Sequence, residues 1–153
     1  MGQDCVKVFY ANTTSAVIDG GVVWTNGCYD ILHVGHVRLF EHCRKIAEDK
    51  GCSFFVGIDS DRRVKQMKGP SRPINTENDR AEFLLSMKGI DRVYIYDTPE
   101  ELEKVIGILK PEVMVVGDEY KTKTVIGSSF SKAVVFFPKI VGYSTSNTLS
   151  KID

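Results

Sequence analysis

One stretch limits the possible folds of this chain more than any other, the fifteen residues from Val22 to His36. Val22, Val23 and Trp24 form an apolar run that reads as a buried strand, and Thr25 leads into Asn26-Gly27, where the chain must turn. Beyond His33 and His36, residues Leu39, Phe40, Cys43, Ile46 and Ala47 recur at helical spacing on one stripe. A strand, a glycine turn and then a helix start present free backbone N–H groups and a positive dipole end to an anion. His33 and His36 are three residues apart, so both can face that anion, and Gly35 between them permits close approach of a phosphate. Two histidines on one turn could instead decorate a helix or ligate zinc, but no third ligand stands in a suitable setting.

The rest of the chain repeats the alternation. Ser53–Ile58 is a second continuous apolar run, as in a parallel strand covered on both faces. Asp59 to Asn75 begins as a short helix and ends in a Gly/Pro loop whose Lys65, Lys68 and Arg72 fall near the strand's carboxyl end. Thr76 opens a helix with Asp79 three residues on, and Ala81, Leu84, Leu85 and Met87 form its buried side. Arg80 lies in the first turns of that helix, where a cation opposes the dipole, so it is expected to meet an anion of its own.

Arg92–Tyr96 is the third strand, and Thr98-Pro99 with Glu101 starts a helix that turns Leu102, Val105, Ile106 and Leu109 inward. Pro111 stops it before the strand Val113–Val116, which runs into Gly117-Asp118-Glu119-Tyr120 at the edge that bears the histidines. A last strand, Val134–Phe137, leads to Gly142-Tyr143-Ser144-Thr145 and a terminal helix capped by Ser144. Residues 1–20 read as an extension that packs at an edge or mediates a dimer contact, and residues 21–153 as one domain. The expected architecture is α/β, a single open parallel five-stranded sheet with helices on both faces.

Composition narrows the function classes. Of 153 residues, twenty are basic and twenty acidic, which gives no electrostatic reason for a nucleic-acid or membrane-surface partner. No apolar run approaches the ~20 residues of a membrane span, and no secretory leader opens the chain. The four cysteines, irregularly spaced, read as reduced thiols of a cytoplasmic protein. Asn12-Thr13-Thr14 matches a glycosylation acceptor that such a location would leave unused.

Asn26-Gly-x-x-Asp30 with His33-x-Gly-His36 resembles the signature of the nucleotidyltransferases that include cytidylyltransferases and several adenylyltransferases. Lys68-Gly69 and Gly142-Tyr143-Ser144-Thr145 match further family motifs in order, although Lys139 and Ile140 stand where the family often has an arginine. The resemblance implies a Rossmann-like fold in which His33 and His36 stabilise the transition state at the α-phosphorus and Lys68, with Lys65, closes over the triphosphate. It places Thr25, Asn26, Gly27, Asp30, Gly35, Gly117, Asp118, Gly142, Tyr143, Ser144 and Thr145 around the nucleotide, and Arg72 and Arg80 toward the acceptor. The Ser60–Asn75 segment and Gly117-Asp118 are similar to the adenylyltransferase domain of ADP-heptose synthesis, which transfers AMP from ATP to a heptose 1-phosphate.

That resemblance also implies Mg²⁺ travelling with the triphosphate and a homodimer. A cytidylyltransferase acting with CTP on glycerol 3-phosphate or another small alcohol phosphate is the neighbouring reading. A nucleotide-sensing module without activity is the alternative from another class.

Overall fold

The computed structural model describes residues 6–11 and 20–138 together with positions 144, 149 and 151. Asn12-Thr13-Thr14, Lys139, Ile140, Gly142, Tyr143, Thr145 and the expected terminal helix lie outside the described residues.

In chain order the elements are β1 (Lys7–Tyr10), β2 (Val22–Gly27), α1 (Val34–Lys50), β3 (Ser53–Asp59), α2 (Asp61–Lys68), α3 (Glu77–Leu85), β4 (Arg92–Tyr96), α4 (Pro99–Leu109), β5 (Val113–Gly117) and β6 (Ala133–Phe137). They build one sheet in the order β1-β4-β3-β2-β5-β6. The strands β2 to β6 pair in parallel, as alternation with helices requires. This is the expected open α/β sheet with one strand more. The addition is β1, which pairs antiparallel with β4 from Lys7↔Ile95 to Tyr10↔Arg92. Arg92 holds this edge, its guanidinium 4.7 Å from the Tyr10 ring centroid and 4.8 Å from that of Phe55.

Successive strand residues point to opposite faces. Val23, Phe54, Val56, Val93 and Val115 pack on one side with Phe40 and Cys43 of α1 and Leu84 of α3. Trp24, Phe55, Tyr94 and Met114 pack on the other with Leu102 and Ile106 of α4. Helices on both faces explain why the strands read as unbroken apolar runs.

Local signals set the helix ends. Gly51 ends α1 in the left-handed conformation (φ 66°), its N–H reaching the carbonyls of Ala47 and Glu48. Ser60, Thr76 and Thr98 each cap a helix by accepting a backbone N–H three residues on. Parallel pairing leaves the carboxyl ends of β2, β3 and β5 at one rim, and the strand order reverses at β2, where a crevice is expected to open. Among the described residues no helix is long and apolar enough to cross a membrane.

Candidate active site

The crevice is shaped first by the turn after β2. Trp24 is fully buried, and its indole N–H donates to Asn26 Oδ1 at 2.9 Å. The Thr25 hydroxyl donates to the Val115 carbonyl at 2.8 Å, stitching β2 to β5. Tyr29 then takes a positive φ of 51°, rare for a side chain of its size. This folds its ring back so that a Cβ on Gly27 would lie 3.0 Å from Tyr29 Cζ. A side chain at 27 would therefore press on the Tyr29 ring, which would have to yield by a few tenths of an ångström. The Tyr29 ring in turn meets His36 edge-on at 5.3 Å and Phe40 at 5.1 Å, so the turn and the helix lock together.

His33 is the N-cap of α1. Its Nδ1 accepts from the Gly35 N–H at 3.1 Å, while His36 Nδ1 accepts from the His33 N–H at 3.1 Å. The two imidazoles thus make the reciprocal capping arrangement that a serine and a glutamate usually make. A neutral imidazole whose Nδ1 accepts must carry its proton on Nε2. Both rings are held neutral: burial lowers the pKa of His33, and burial, then His33, then Lys68 push His36 down to about 4. Two Nε2–H donors therefore line the crevice at a helix start with no acidic residue in its first turn.

Lys68 ends α2 and is exposed, and it lines the same crevice from across the turn. The loop that follows is moored by Asp30. This buried carboxylate accepts from the N–H groups of Ile74 (2.7 Å) and Asn75 (2.8 Å) and from Arg72 Nε (3.2 Å). Arg80 is fully buried and ties four segments: Nη1 donates to the carbonyls of Cys28 (3.0 Å) and Asp59 (2.8 Å), Nε to Asn75 (3.1 Å), and Nη2 to Asp61 Oδ1 (2.9 Å). The anion expected for Arg80 is thus Asp61 of this chain. Neither Arg72 nor Arg80 lines the crevice: internal acceptors take every nitrogen of the Arg80 guanidinium, and Asp30 holds the buried Arg72 through Nε.

The crevice has two lobes that share Asn26, Gly27, Cys28, Lys68, Gly117 and Tyr120. The larger, about 370 Å³, adds His33, Gly35 and His36 on one side and Glu119, Phe137 and Ser144 on the other. The smaller is about 300 Å³ and extends between β3, β4 and the connection after β5. Thr25, Asn26, Gly27, Gly35, Lys68, Gly117 and Ser144 are thus brought together with the histidines. Lys65 is exposed on α2 away from both lobes, Asp118 pairs with Lys121 at 3.0 Å, and Asp30 works through the loop it moors.

Cys28, Tyr29 and Tyr120 belong to the crevice without having stood out in sequence. Tyr29 and Cys28 occupy the variable places inside the Asn-Gly-x-x-Asp pattern, so the signal was their position and not their type. Burial raises the Cys28 pKa, so at neutral pH it is a thiol and offers no thiolate nucleophile. Among the described residues no three His, Cys, Asp or Glu side chains converge to hold a metal ion. A divalent cation at this site would have to be carried mainly by ligand oxygens.

A parallel α/β sheet with paired imidazole donors at the first helix start, a lysine opposite and a two-lobed crevice defines a nucleotidyltransferase. The chain belongs to the cytidylyltransferase-like family, whose profile matches residues 24–146. It is 41% identical over 131 residues to the bifunctional protein HldE of Campylobacter fetus subsp. fetus, covering 86% of this chain and 28% of that protein. The HldE protein of Sulfurimonas denitrificans is 44% identical over 133 residues, 86% of this chain and 26% of that one. The chain therefore spans little more than a quarter of these relatives. A crystal structure of a macrolide-efflux protein from Streptococcus pneumoniae shares the fold alone, with a TM-score of 0.62 at 20% identity over 87% of this chain and 51% of that one.

Proposed function

We infer that the chain transfers AMP from ATP to a heptose 1-phosphate and releases pyrophosphate. The observation that carries the reading is the fixed tautomer of His33 and His36, whose Nδ1 atoms both accept from backbone N–H groups, so that each ring carries its proton on Nε2 at the wall of the crevice. The similarity of Ser60–Asn75 to ADP-heptose-forming domains supports ATP and heptose 1-phosphate as the substrate pair.

In this reading a phosphate oxygen of the acceptor attacks the α-phosphorus, and the bond to the pyrophosphate oxygen breaks. The second pKa of a phosphate monoester is near ~6, so the nucleophile is ionised at neutral pH and needs no general base. Catalysis is then positioning plus stabilisation of charge on the phosphoryl oxygens. Neutral donors at His33 and His36 supply that stabilisation without rearranging, since backbone N–H groups hold both rings. Lys68 adds a positive charge from the end of α2, and Ser144 lines the opposite rim with a hydroxyl. Mg²⁺ bound to the triphosphate belongs to the same proposal and would neutralise charge on its oxygens. So does a homodimer, which sedimentation would establish.

Pyrophosphate release tests the reading, with ATP and with CTP, each against heptose 1-phosphate and glycerol 3-phosphate. Turnover with ATP and heptose 1-phosphate is the expected result. Turnover with CTP alone would keep the chemistry and change the base. No turnover with any pair, despite nucleotide binding, would overturn the assignment.

A further inference from the structure

The geometry points to the smaller lobe as the acceptor's own subsite, with Arg63 and Asp59 reading the hydroxyl groups of a phosphorylated sugar. This rests on the transferase reading and assigns a binding region that Arg72 and Arg80, buried elsewhere, do not provide.

A transfer between two bound substrates needs the reacting atoms about 3–3.5 Å apart, so two subsites must meet at a common wall. The two lobes have such a wall, formed by the Asn26–Cys28 turn, Gly117, Tyr120 and Lys68. The larger lobe holds both histidines, which places the triphosphate there and leaves the smaller lobe for the attacking molecule.

Its chemistry is two-sided. One flank carries Asp59 and Arg63, joined at 2.7 Å through Nε, with the guanidinium 5.7 Å from the centre of the Tyr96 ring. Nε is the guanidinium nitrogen that Asp59 occupies, so the two Nη groups of Arg63 keep donors for a ligand among the described residues. The other flank is apolar, built from Leu102, Val116, Val125 and Ile126. Hydrogen-bonding groups facing an aliphatic wall suit a polyhydroxylated ring, whose hydroxyls and C–H face point in different directions. At about 300 Å³ the lobe has room for a monosaccharide with its phosphate directed at Lys68. Both Asp59 and Arg63 come from the β3–α2 junction, which Arg80 braces through the Asp59 carbonyl.

The test uses the full chain and two variants. Val125→Trp fills the smaller lobe from its apolar side, and Arg63→Met removes the donors while keeping an apolar stem. Steady-state kinetics with ATP and heptose 1-phosphate should show the acceptor KM raised at least tenfold in both, with the ATP KM within about twofold of wild type. Calorimetric titration of heptose 1-phosphate, with a non-hydrolysable ATP analogue present, should show binding to wild type and its loss in Val125→Trp. If the variants raise the ATP KM and spare the acceptor, the lobe holds the nucleoside and the proposal is overturned. Equal acceptor binding by wild type and Val125→Trp, or binding by neither, also overturns it. Lobe-dependent binding without turnover would sink the transferase reading and leave the subsite standing.

Discussion

The imidazole rings of His33 and His36 lie one over the other, centroids 3.8 Å apart and 24° from parallel. The stack rests on the Tyr29 edge, and both Nδ1 atoms are taken by backbone N–H groups. Two charged imidazoliums at this spacing would repel, so the pair is built to work as neutral donors.

His36→Asn separates the two jobs of that ring. An asparagine oxygen can replace Nδ1 as acceptor for the His33 N–H, but nothing replaces the Nε2–H. Nucleotidyl transfer should fall by roughly 10²–10³, the loss typical of one preorganised donor to a developing charge. The helix cap should survive, with the melting temperature within about 3 °C of wild type. A pyrophosphate assay and a thermal melt on the same protein check both halves.

Stability should depend on pH through His36. Its folded pKa, about 4, is below its ordinary 6.5, so between these values the unfolded chain binds the proton and the folded one does not. Stability is then complete above pH ~6.5 and is lost as pH falls toward ~4, by at most about 3 kcal/mol from this group. Urea denaturation at several pH values should show this slope in wild type and a flatter one in His36→Asn.

Arg80→Met should cost about 3–5 kcal/mol, the range for breaking a buried charge pair from one side. The change leaves Asp61 without its partner and strips donors from the carbonyls of Cys28, Asp59 and Asn75. Denaturant unfolding would register the loss. A protein of undiminished stability with selectively weakened acceptor binding would show instead that Arg80 serves the ligand.

Gly57→Ala should disturb the site from inside the sheet. A Cβ at 57 would strike the Trp24 ring, and Trp24 is what fixes the Asn26 side chain. Overpacking of this kind costs about 1–3 kcal/mol. Tryptophan emission should shift and the nucleotide KM should rise, although residue 57 touches neither lobe.

Much of this was legible from periodicity and punctuation. The bare apolar runs of β2, β3 and β5, the Thr98-Pro99 helix start and the His33-x-Gly-His36 turn each carry a local signal that needs no tertiary partner. Arg80 shows where such reading ends. Its position in the first turns of α3 announced an anion, but only the packed chain reveals that Asp61 and three carbonyls fill that role. Asp30 is similar, since its acceptors' duty to residues 72–75 depends on a loop more than forty positions away. The strand β1 was legible only as a possible short element over residues 6–10 of an edge-packing extension: Lys7 and Tyr10 are exposed and Val8 and Phe9 half-buried, a weak pattern, and their pairing with β4 is decided across the sheet.

The amino-terminal strand is joined to the crevice by a run of polar contacts. Lys7 meets Glu77 at 2.8 Å, Glu77 accepts from the Asp61 N–H at 2.9 Å, Asp61 holds Arg80, and Arg80 grips the carbonyl of Cys28 between the two lobes. A fusion partner or tag that tugs on the chain just ahead of β1 would therefore strain this tether at its far end, under the floor on which both substrates are proposed to meet.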